Sequence, residues 1–196
     1  MIYKNYLEKL FGNKTKIALA RTFYKIPEKV WTVRDIARFI GIQHTTVLDN
    51  LGDLEEMGLL HIGGYGKAKT IKVNKDSFIF NKIVKPLFET EIRTRDELIS
   101  DLKKIINSND IELLALFGSV AEESEKFNSD IDLLIVSKNK DEVERILTEK
   151  QSFISNKFGN ELSPYIFTPK EFKSKQKTPF LKDAKKKCII LRGEWR

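Results

Sequence analysis

The stretch from Leu113 to Ser137 reads LLALFGSVAEESEKFNSDIDLLIVS and joins two apolar runs through a polar segment. The runs, Leu113–Phe117 and Leu133–Val136, have the length and composition of buried strands. Gly118 and Ser119 end the first run, and the triplet Asp130-Ile131-Asp132 begins the second. The pattern therefore predicts two strands of one sheet, with a tight turn after the first and two carboxylates at the start of the second.

The two carboxylates are candidates for a metal site. Side chains alternate faces along a strand, so Asp130 and Asp132 are expected on the same side of the sheet. Paired carboxylates suit a hard cation such as Mg²⁺. Gly118 allows a tight turn, and the free N–H groups of a short helix after it would attract phosphate oxygens. Each signal alone has a plainer interpretation, because Asp-x-Asp is often a solvated strand end and Gly-Ser a common turn.

The combination resembles the DNA polymerase beta nucleotidyltransferase superfamily, and within it the minimal nucleotidyltransferases. The resemblance implies that Gly118 and Ser119 hold a triphosphate and that Asp130 and Asp132 bind two Mg²⁺ ions. It implies a nucleoside triphosphate substrate, with ATP expected, and transfer of a nucleoside monophosphate to a hydroxyl acceptor. The acceptor is expected to be a hydroxyl group of a protein or of another molecule, and a protein acceptor is suggested because minimal members are known for adenylylating partner toxins.

Two features depart from the family pattern. Members often continue Gly-Ser with a small-Ala-Arg-Gly run, whereas this chain has Val120-Ala121-Glu122-Glu123. Members also use a third carboxylate from a later strand, here expected at Leu162–Thr168. The register of that strand places Ser163 where the acid would lie. Glu161, two residues earlier, is the candidate third catalytic carboxylate, and the alternative is an exposed loop glutamate.

Length and composition limit the remaining classes. The 196 residues suit one large or two small domains. One cysteine excludes an intrachain disulfide, and two distant histidines disfavour a zinc site. We find no apolar run long enough for a membrane span and no signal peptide pattern, so we expect a cytoplasmic protein without membrane contact.

Charge is unevenly distributed along the chain. Residues 1–85 contain 15 Lys and Arg against 8 Asp and Glu, whereas residues 86–196 contain 20 of each. The net charge of +7 therefore belongs to the first part. A basic domain beside a neutral one favours nucleic-acid binding by the basic domain, although small basic domains are also common.

The front part predicts three helices followed by a β-hairpin. Helices are expected from Asn13 or Thr15 to Lys25, after Thr32 with Asp35 as a capping pair, and from Gln43 to Met57. Leu59–Ile62 and Thr70–Val73 are predicted as the hairpin strands. The order over about residues 15–75 is similar to the winged helix-turn-helix regulators of bacteria and archaea.

The winged-helix resemblance implies that the third helix lies in the DNA major groove. Residues predicted to point outward from this helix, and so to contact DNA, are Gln43, His44, Thr46 and Asn50. Lys67 and Lys69 on the wing are expected to touch phosphates. Asp49 and Asp53 would oppose DNA, so docking to a protein is the alternative. Such regulators often bind two half-sites, which makes a homodimer plausible.

We predict an α+β chain of two domains, a winged helix over residues 1–85 and a nucleotidyltransferase-like domain over residues 86–196. A helix at Ser77–Val84, a bend at Pro86 and a new helix capped by Thr94 with Glu97 are expected to connect them. The nucleotidyltransferase resemblance extends over about residues 94–194. The chain is interpreted as an enzyme tethered to a DNA-binding domain; the alternative is a transcriptional regulator whose second domain senses nucleotide or is inactive.

Overall fold

The computed structural model describes residues 6–65 and 68–195. The chain divides into two compact units between Arg93 and Thr94. Among the described residues, the first unit has one hydrophobic core and the second has a core on each face of its sheet. Both units combine helices with a small sheet, as the α+β prediction requires. Within the described residues, no helix has the length and apolarity of a membrane span.

The first unit has the element order of a winged helix. Its elements are α1 (Tyr6–Phe11), α2 (Lys14–Lys25), β1 (Trp31–Thr32), α3 (Val33–Ile40), α4 (His44–Glu56), β2 (Leu60–Tyr65) and β3 (Ala68–Val73). The strands form an antiparallel sheet in the order β1-β3-β2. Helices α2, α3 and α4 and the hairpin confirm the predicted order, while α1 and β1 were not predicted.

Short polar side chains fix the starts of two helices in the first unit. The side-chain oxygen of Asn13 accepts a hydrogen bond of 2.8 Å from the Thr15 N–H at the start of α2. The Thr32 hydroxyl accepts one of 3.2 Å from the Asp35 N–H at the start of α3. These bonds satisfy N–H groups that have no partner within the helix. The predicted starts at Asn13 and Thr32 are therefore confirmed.

The connection between the units differs from the prediction. The chain forms a π-helical stretch at Phe80–Val84 and continues as α5 (Lys85–Ile105). Pro86 has no N–H, and its ring would clash with a carbonyl one α-turn earlier. The wider π turn, closed by a Lys85 N–H to Phe80 oxygen bond, accommodates the proline without ending the helix. The predicted new helix start at Thr94 is wrong, because Thr94 lies inside α5.

The second unit is a four-stranded mixed sheet with helices on both faces. Its further elements are β4 (Ile111–Phe117), α6 (Gly118–Ala121), β5 (Ile131–Ser137), α7 (Lys140–Phe158), β6 (Leu162–Phe167), α8 (Pro169–Lys175), α9 (Pro179–Lys187) and β7 (Ile189–Gly193). The strand order is β6-β5-β4-β7. β5 and β6 run parallel, and β4 is antiparallel to β5 and β7.

The alternation along β5 divides the core of this unit into two layers. Leu133 and Ile135 point to the layer that also contains apolar side chains of α5 and α7. Leu134 and Val136 point to the layer formed with α8 and α9. Asp132 shares the parity of Leu134, so its carboxylate lies on the α8 and α9 side of the sheet.

Candidate active site and nucleic-acid interface

Asp130 and Asp132 flank the first residue of β5. Asp130 is exposed and precedes the strand, whereas Asp132 is half-buried within it. Burial raises the pKa of the Asp132 carboxyl, a hydrogen bond from the Ser163 hydroxyl opposes the rise, and the charge of Asp130 adds to it. The two carboxylates are therefore close enough to repel each other, and a cation between them would relieve that repulsion.

Gly118 lies directly against this carboxylate. It adopts a left-handed conformation with φ +72°, and a Cβ placed on it would lie 2.2 Å from Oδ2 of Asp132. A side chain at this position would strain the backbone and push the Asp132 carboxylate aside, so glycine is strongly favoured here. Ser119 follows as the second residue of α6. The structure thus brings the predicted Gly-Ser turn and the predicted acids together.

The backbone on both sides of Asp130 is anchored to the segment that leads into β6. The Ile131 backbone N–H donates a hydrogen bond of 2.8 Å to the backbone carbonyl oxygen of Glu161. The side-chain amide nitrogen of Asn160 donates a hydrogen bond of 2.8 Å to the backbone carbonyl oxygen of Ser129. These bonds fix Asp130 although its side chain is exposed. Asn160 was not identified from the sequence, because this pairing joins positions that are distant along the chain.

β6 places Ser163, and not an acid, beside Asp132. Ser163 pairs with Asp132 in the parallel register, in agreement with the register predicted from the sequence. Glu161 lies just before β6, and its side chain is exposed. In the described part of the chain, no three His, Cys, Asp or Glu side chains are grouped so as to hold a metal ion. The role of Glu161 as a third carboxylate stays a prediction.

Cations from distant elements pair with Glu122 and Glu123, the two residues that differ from the resembled family's usual Arg-Gly. Glu122 pairs with Lys187 of α9 at 2.6 Å, and Glu123 pairs with Arg95 of α5 at 2.5 Å. Glu123 also has φ 56°, a left-handed conformation that glycine adopts without strain. The chain therefore keeps a left-handed residue here but uses a strained glutamate for it, and both glutamates are paired with cations.

The residues predicted to contact DNA are only partly free. Gln43 and His44 are exposed at the start of α4, Thr46 is half-buried, and Lys69 is exposed on β3. The prediction that Asn50 faces outward is wrong. Asn50 is 7% exposed, accepts a hydrogen bond of 2.9 Å from Asn13 and donates one of 2.7 Å to the Thr46 oxygen. Lys67 lies outside the described residues.

The acids at the end of α4 have partners within the first unit. Asp53 pairs with Lys16, and the pKa of its carboxyl is lowered mainly by the hydrogen bond from that lysine. Glu56 pairs with Lys9 at 3.4 Å. Glu55 accepts a hydrogen bond of 2.9 Å from the Ile62 N–H. Asp53, which would otherwise oppose DNA, is therefore neutralised, whereas Asp49 is exposed on the same helix.

Comparison with known families assigns part of the second unit. Residues 100–186 match the family described as Polymerase beta, Nucleotidyltransferase, as the sequence resemblance predicts. The match contains the Gly118-Ser119 turn, both aspartates and Ser163. The second unit thus carries a nucleotidyltransferase-like domain. Comparison with curated proteins gives no match.

Several solved structures are similar to parts of this chain. A toxin–antitoxin structure with AMP-PNP is 19% identical, over 51% of this chain and 73% of that chain, with a TM-score of 0.36. The MepR–DNA complex of Staphylococcus aureus is 19% identical, over 50% of this chain and 82% of that chain, with a TM-score of 0.38. The archaeal chromatin protein TrmBL2 is 14% identical, over 92% of this chain and 72% of that chain, with a TM-score of 0.30. These likenesses are too weak to assign a function.

Proposed function

We propose that the second unit is a Mg²⁺-dependent nucleotidyltransferase that transfers a nucleoside monophosphate from a nucleoside triphosphate, with ATP as the expected substrate. One observation carries the proposal. The half-buried carboxylate of Asp132 lies against the glycine of the Gly-Ser turn, with a second carboxylate beside it. Burial and the charge of Asp130 raise the pKa of this carboxyl, so its ionised form costs stability at neutral pH, and a bound cation would offset that cost.

The donor set suits Mg²⁺ held jointly with a substrate. Mg²⁺ is commonly bound by one or two carboxylates together with substrate phosphates and water. Asp130 and Asp132 would supply the carboxylates, and Glu161 is the candidate for an additional one. When bound, the metal supplies charge stabilisation to the attacking and leaving oxygens. The Ser119 hydroxyl and the backbone N–H groups of the turn would hold the terminal phosphates.

The acceptor is proposed to be a hydroxyl group of a protein, such as a partner toxin. This step rests on the resemblance to minimal nucleotidyltransferases alone. The pairs Lys187–Glu122 and Arg95–Glu123 support access of a triphosphate, since they remove the repulsion that two free glutamates would exert. In the resembled family a basic residue would face the phosphates directly. Here Lys187 and Arg95 would act instead by pairing with Glu122 and Glu123.

The test measures binding and transfer separately. Titration calorimetry with Mg²⁺ and a non-hydrolysable ATP analogue reports binding, and α-labelled ATP reports transfer to the chain itself or to proteins of a cell extract. Asp130→Asn and Asp132→Asn should abolish Mg²⁺-dependent binding and transfer. The control is Asp110→Asn, because Asp110 lies in the turn before β4, at the opposite end of that strand from Gly118. Wild-type binding and transfer in either aspartate variant would refute the proposal.

A second function is favoured by the charge of the first unit. We propose that it binds DNA through α4 and the hairpin. Gln43 makes no side-chain cap at the start of α4, so the first N–H groups of this helix are available to a phosphate. Arg34, Arg38 and Lys72 are exposed cations of the same unit. Gln43 and His44 would reach base edges, and Lys69 would contact the backbone.

Salt titration tests the DNA proposal. The logarithm of the affinity for a duplex should fall linearly with the logarithm of the salt concentration. Lys69→Ala should lower the affinity for all sequences alike and reduce the slope by about one. Lys75→Ala is the matched control, since Lys75 is already paired with Glu28. Equal affinities of wild type and Lys69→Ala would favour the alternative of protein docking.

A further inference from the structure

Three aromatic side chains of the second unit form a cluster, here called the aromatic ledge. Phe117 ends β4, Tyr165 lies in β6, and Phe180 is in the first turn of α9. Their ring centroids are 5.5 Å apart for Phe117–Tyr165, 5.6 Å for Phe117–Phe180 and 4.9 Å for Tyr165–Phe180. Three elements that are distant in sequence therefore meet in one group of rings.

The ledge borders the paired carboxylates. Phe117 directly precedes Gly118 and is the pairing partner of Asp132 across the β4–β5 ladder. Tyr165 lies two residues after Ser163, whose hydroxyl donates to Asp132. Residues two apart, or paired across a ladder, share a face of a sheet. The rings and the Asp132 carboxylate therefore lie on the same face and at the same end of the sheet.

Exposure distinguishes the outer rings from the inner one. Phe117 is 9% exposed and belongs to the core, whereas Tyr165 is 40% and Phe180 38% exposed. Two partly exposed aromatic rings, 4.9 Å apart and next to a charged site, leave apolar area in contact with water. A planar apolar group delivered to that site would cover this area.

The chemistry of the neighbouring site limits what that group is. A triphosphate held by Gly118, Ser119 and the two acids carries a sugar and a base on its other end. Each base has a π face that stacks on aromatic side chains, and such stacking tolerates any base. Charge and apolar area therefore match the two ends of a nucleoside triphosphate, one at the carboxylates and one at the ledge.

We propose that Tyr165 and Phe180 bind the nucleobase of the substrate by stacking. The inference rests on the proposed nucleotidyltransferase function and adds the residues that distinguish a nucleotide from a bare polyphosphate. Because stacking does not read base edges, the ledge accepts purine and pyrimidine triphosphates alike.

The test compares two ligands that share the phosphates and differ in the base. Binding of ATP and of inorganic tripolyphosphate, each with Mg²⁺, is measured by calorimetry for the full chain. Tyr165→Ala and Phe180→Ala should each weaken ATP binding by about tenfold or more and leave tripolyphosphate binding within about twofold of wild type. Tyr165→Phe, which keeps the ring, should restore ATP binding. The control is Phe153→Ala, an exposed aromatic of α7, with no expected change for either ligand.

The outcomes separate this inference from the function on which it rests. Suppose the wild type binds both ligands, and Tyr165→Ala and Phe180→Ala weaken binding of neither ligand or weaken binding of the two ligands equally. The stacking proposal is then wrong, and the transferase proposal is left intact. Failure of the wild type to bind either ligand overturns both. Circular dichroism of each variant confirms that the fold is kept, and tripolyphosphate binding that stays near wild type excludes a merely structural effect.

Discussion

The half-buried carboxyl of Asp132, proposed above to bind a metal ion, is expected to lower the stability of the metal-free fold at neutral pH. Burial raises its pKa, so the folded chain holds the proton more tightly than the unfolded chain does. A carboxyl of this kind favours folding when it is protonated, and that contribution is lost as the pH rises through the folded-state pKa. At neutral pH the ionised Asp132 therefore destabilises the metal-free protein.

Asp132→Asn should accordingly raise the melting temperature of the metal-free protein at pH 7, while it removes Mg²⁺ binding. The gain should shrink as the pH is lowered toward the range where Asp132 is protonated. Scanning calorimetry at pH 7 and at mildly acidic pH, with a chelator present, measures both effects. Asp110→Asn should show no such pH-dependent gain, and a lower melting temperature for Asp132→Asn at pH 7 would contradict the argument.

Glu123 is a residue where local backbone strain is visible. Its φ of 56° costs a non-glycine residue about 1 kcal/mol. Glu123→Gly should relieve that cost but also remove the exposed ion pair with Arg95, which is worth at most about 1 kcal/mol. Glu123→Ala removes the same ion pair and keeps the strain. Urea denaturation should therefore find Glu123→Gly more stable than Glu123→Ala by about 1 kcal/mol, and equal stabilities would show that no strain is stored there.

At the scale of elements, α8 depends on a capping box that also carries an ion pair. The Thr168 hydroxyl accepts from the Glu171 N–H, and Glu171 accepts from the Thr168 N–H at 2.7 Å. Lys140 pairs with the same carboxylate at 2.8 Å. The hydrogen bond from Lys140, followed by those from Thr168, lowers the pKa of Glu171 to about 2.

The lowered pKa predicts how α8 responds to acid. A carboxyl whose folded pKa is about 2, against an ordinary value of 4.5, stabilises the fold above about pH 4.5 and loses this contribution as the pH falls toward 2. Glu171→Gln should therefore be less stable than wild type at pH 7, with a difference that closes at pH 2 to 3. Urea unfolding followed by the fluorescence of Trp195, whose ring lies 5.4 Å from that of Phe172 in α8, measures it. Glu144→Gln, at an exposed site on α7, should give a difference that does not vary in this way.

The elements that the sequence predicts are those determined by neighbours along the chain. Asn13, Thr32 and the Gly118-Ser119 turn act within a few residues, and each was found where the pattern indicated. The false start at Thr94 arose because a capping pattern is also compatible with a helix interior, and the π turn before Pro86 made a break unnecessary. The burial of Asn50 and the meeting of Tyr165 with Phe180 depend on long-range packing, which no local pattern contains.

At the scale of the whole molecule, the two units have separate cores and separate charge. Residues 1–93 contain 16 Lys and Arg against 10 Asp and Glu, and residues 94–196 contain 19 against 18. Leu19, Ile36 and Leu51 belong to the core of the first unit, whereas Leu114, Leu133 and Leu134 belong to the cores of the second. No residue of the first unit's core belongs to a core of the second unit. A surface substitution in one unit is therefore not expected to alter the fold of the other.

This separation predicts a crossed result with full-length variants. Asp132→Asn should lose Mg²⁺-dependent nucleotide binding and keep wild-type DNA affinity and salt slope. Lys69→Ala should weaken DNA binding and keep wild-type nucleotide binding. Fluorescence anisotropy with a labelled duplex and calorimetry with the ATP analogue measure the two properties on the same preparations.

A third titration decides between the enzyme and the sensor. Adding Mg²⁺ and the ATP analogue to the wild-type protein on DNA should leave the affinity unchanged if the second unit is an enzyme tethered to a DNA-binding unit. A nucleotide sensor must instead bind nucleotide more tightly in one DNA-binding state, and linkage then requires DNA affinity to change by the same factor. A nucleotide-dependent change in DNA affinity that appears in wild type and disappears in Asp132→Asn would therefore favour the regulator hypothesis over the tethered enzyme. Both hypotheses use the same two carboxylates.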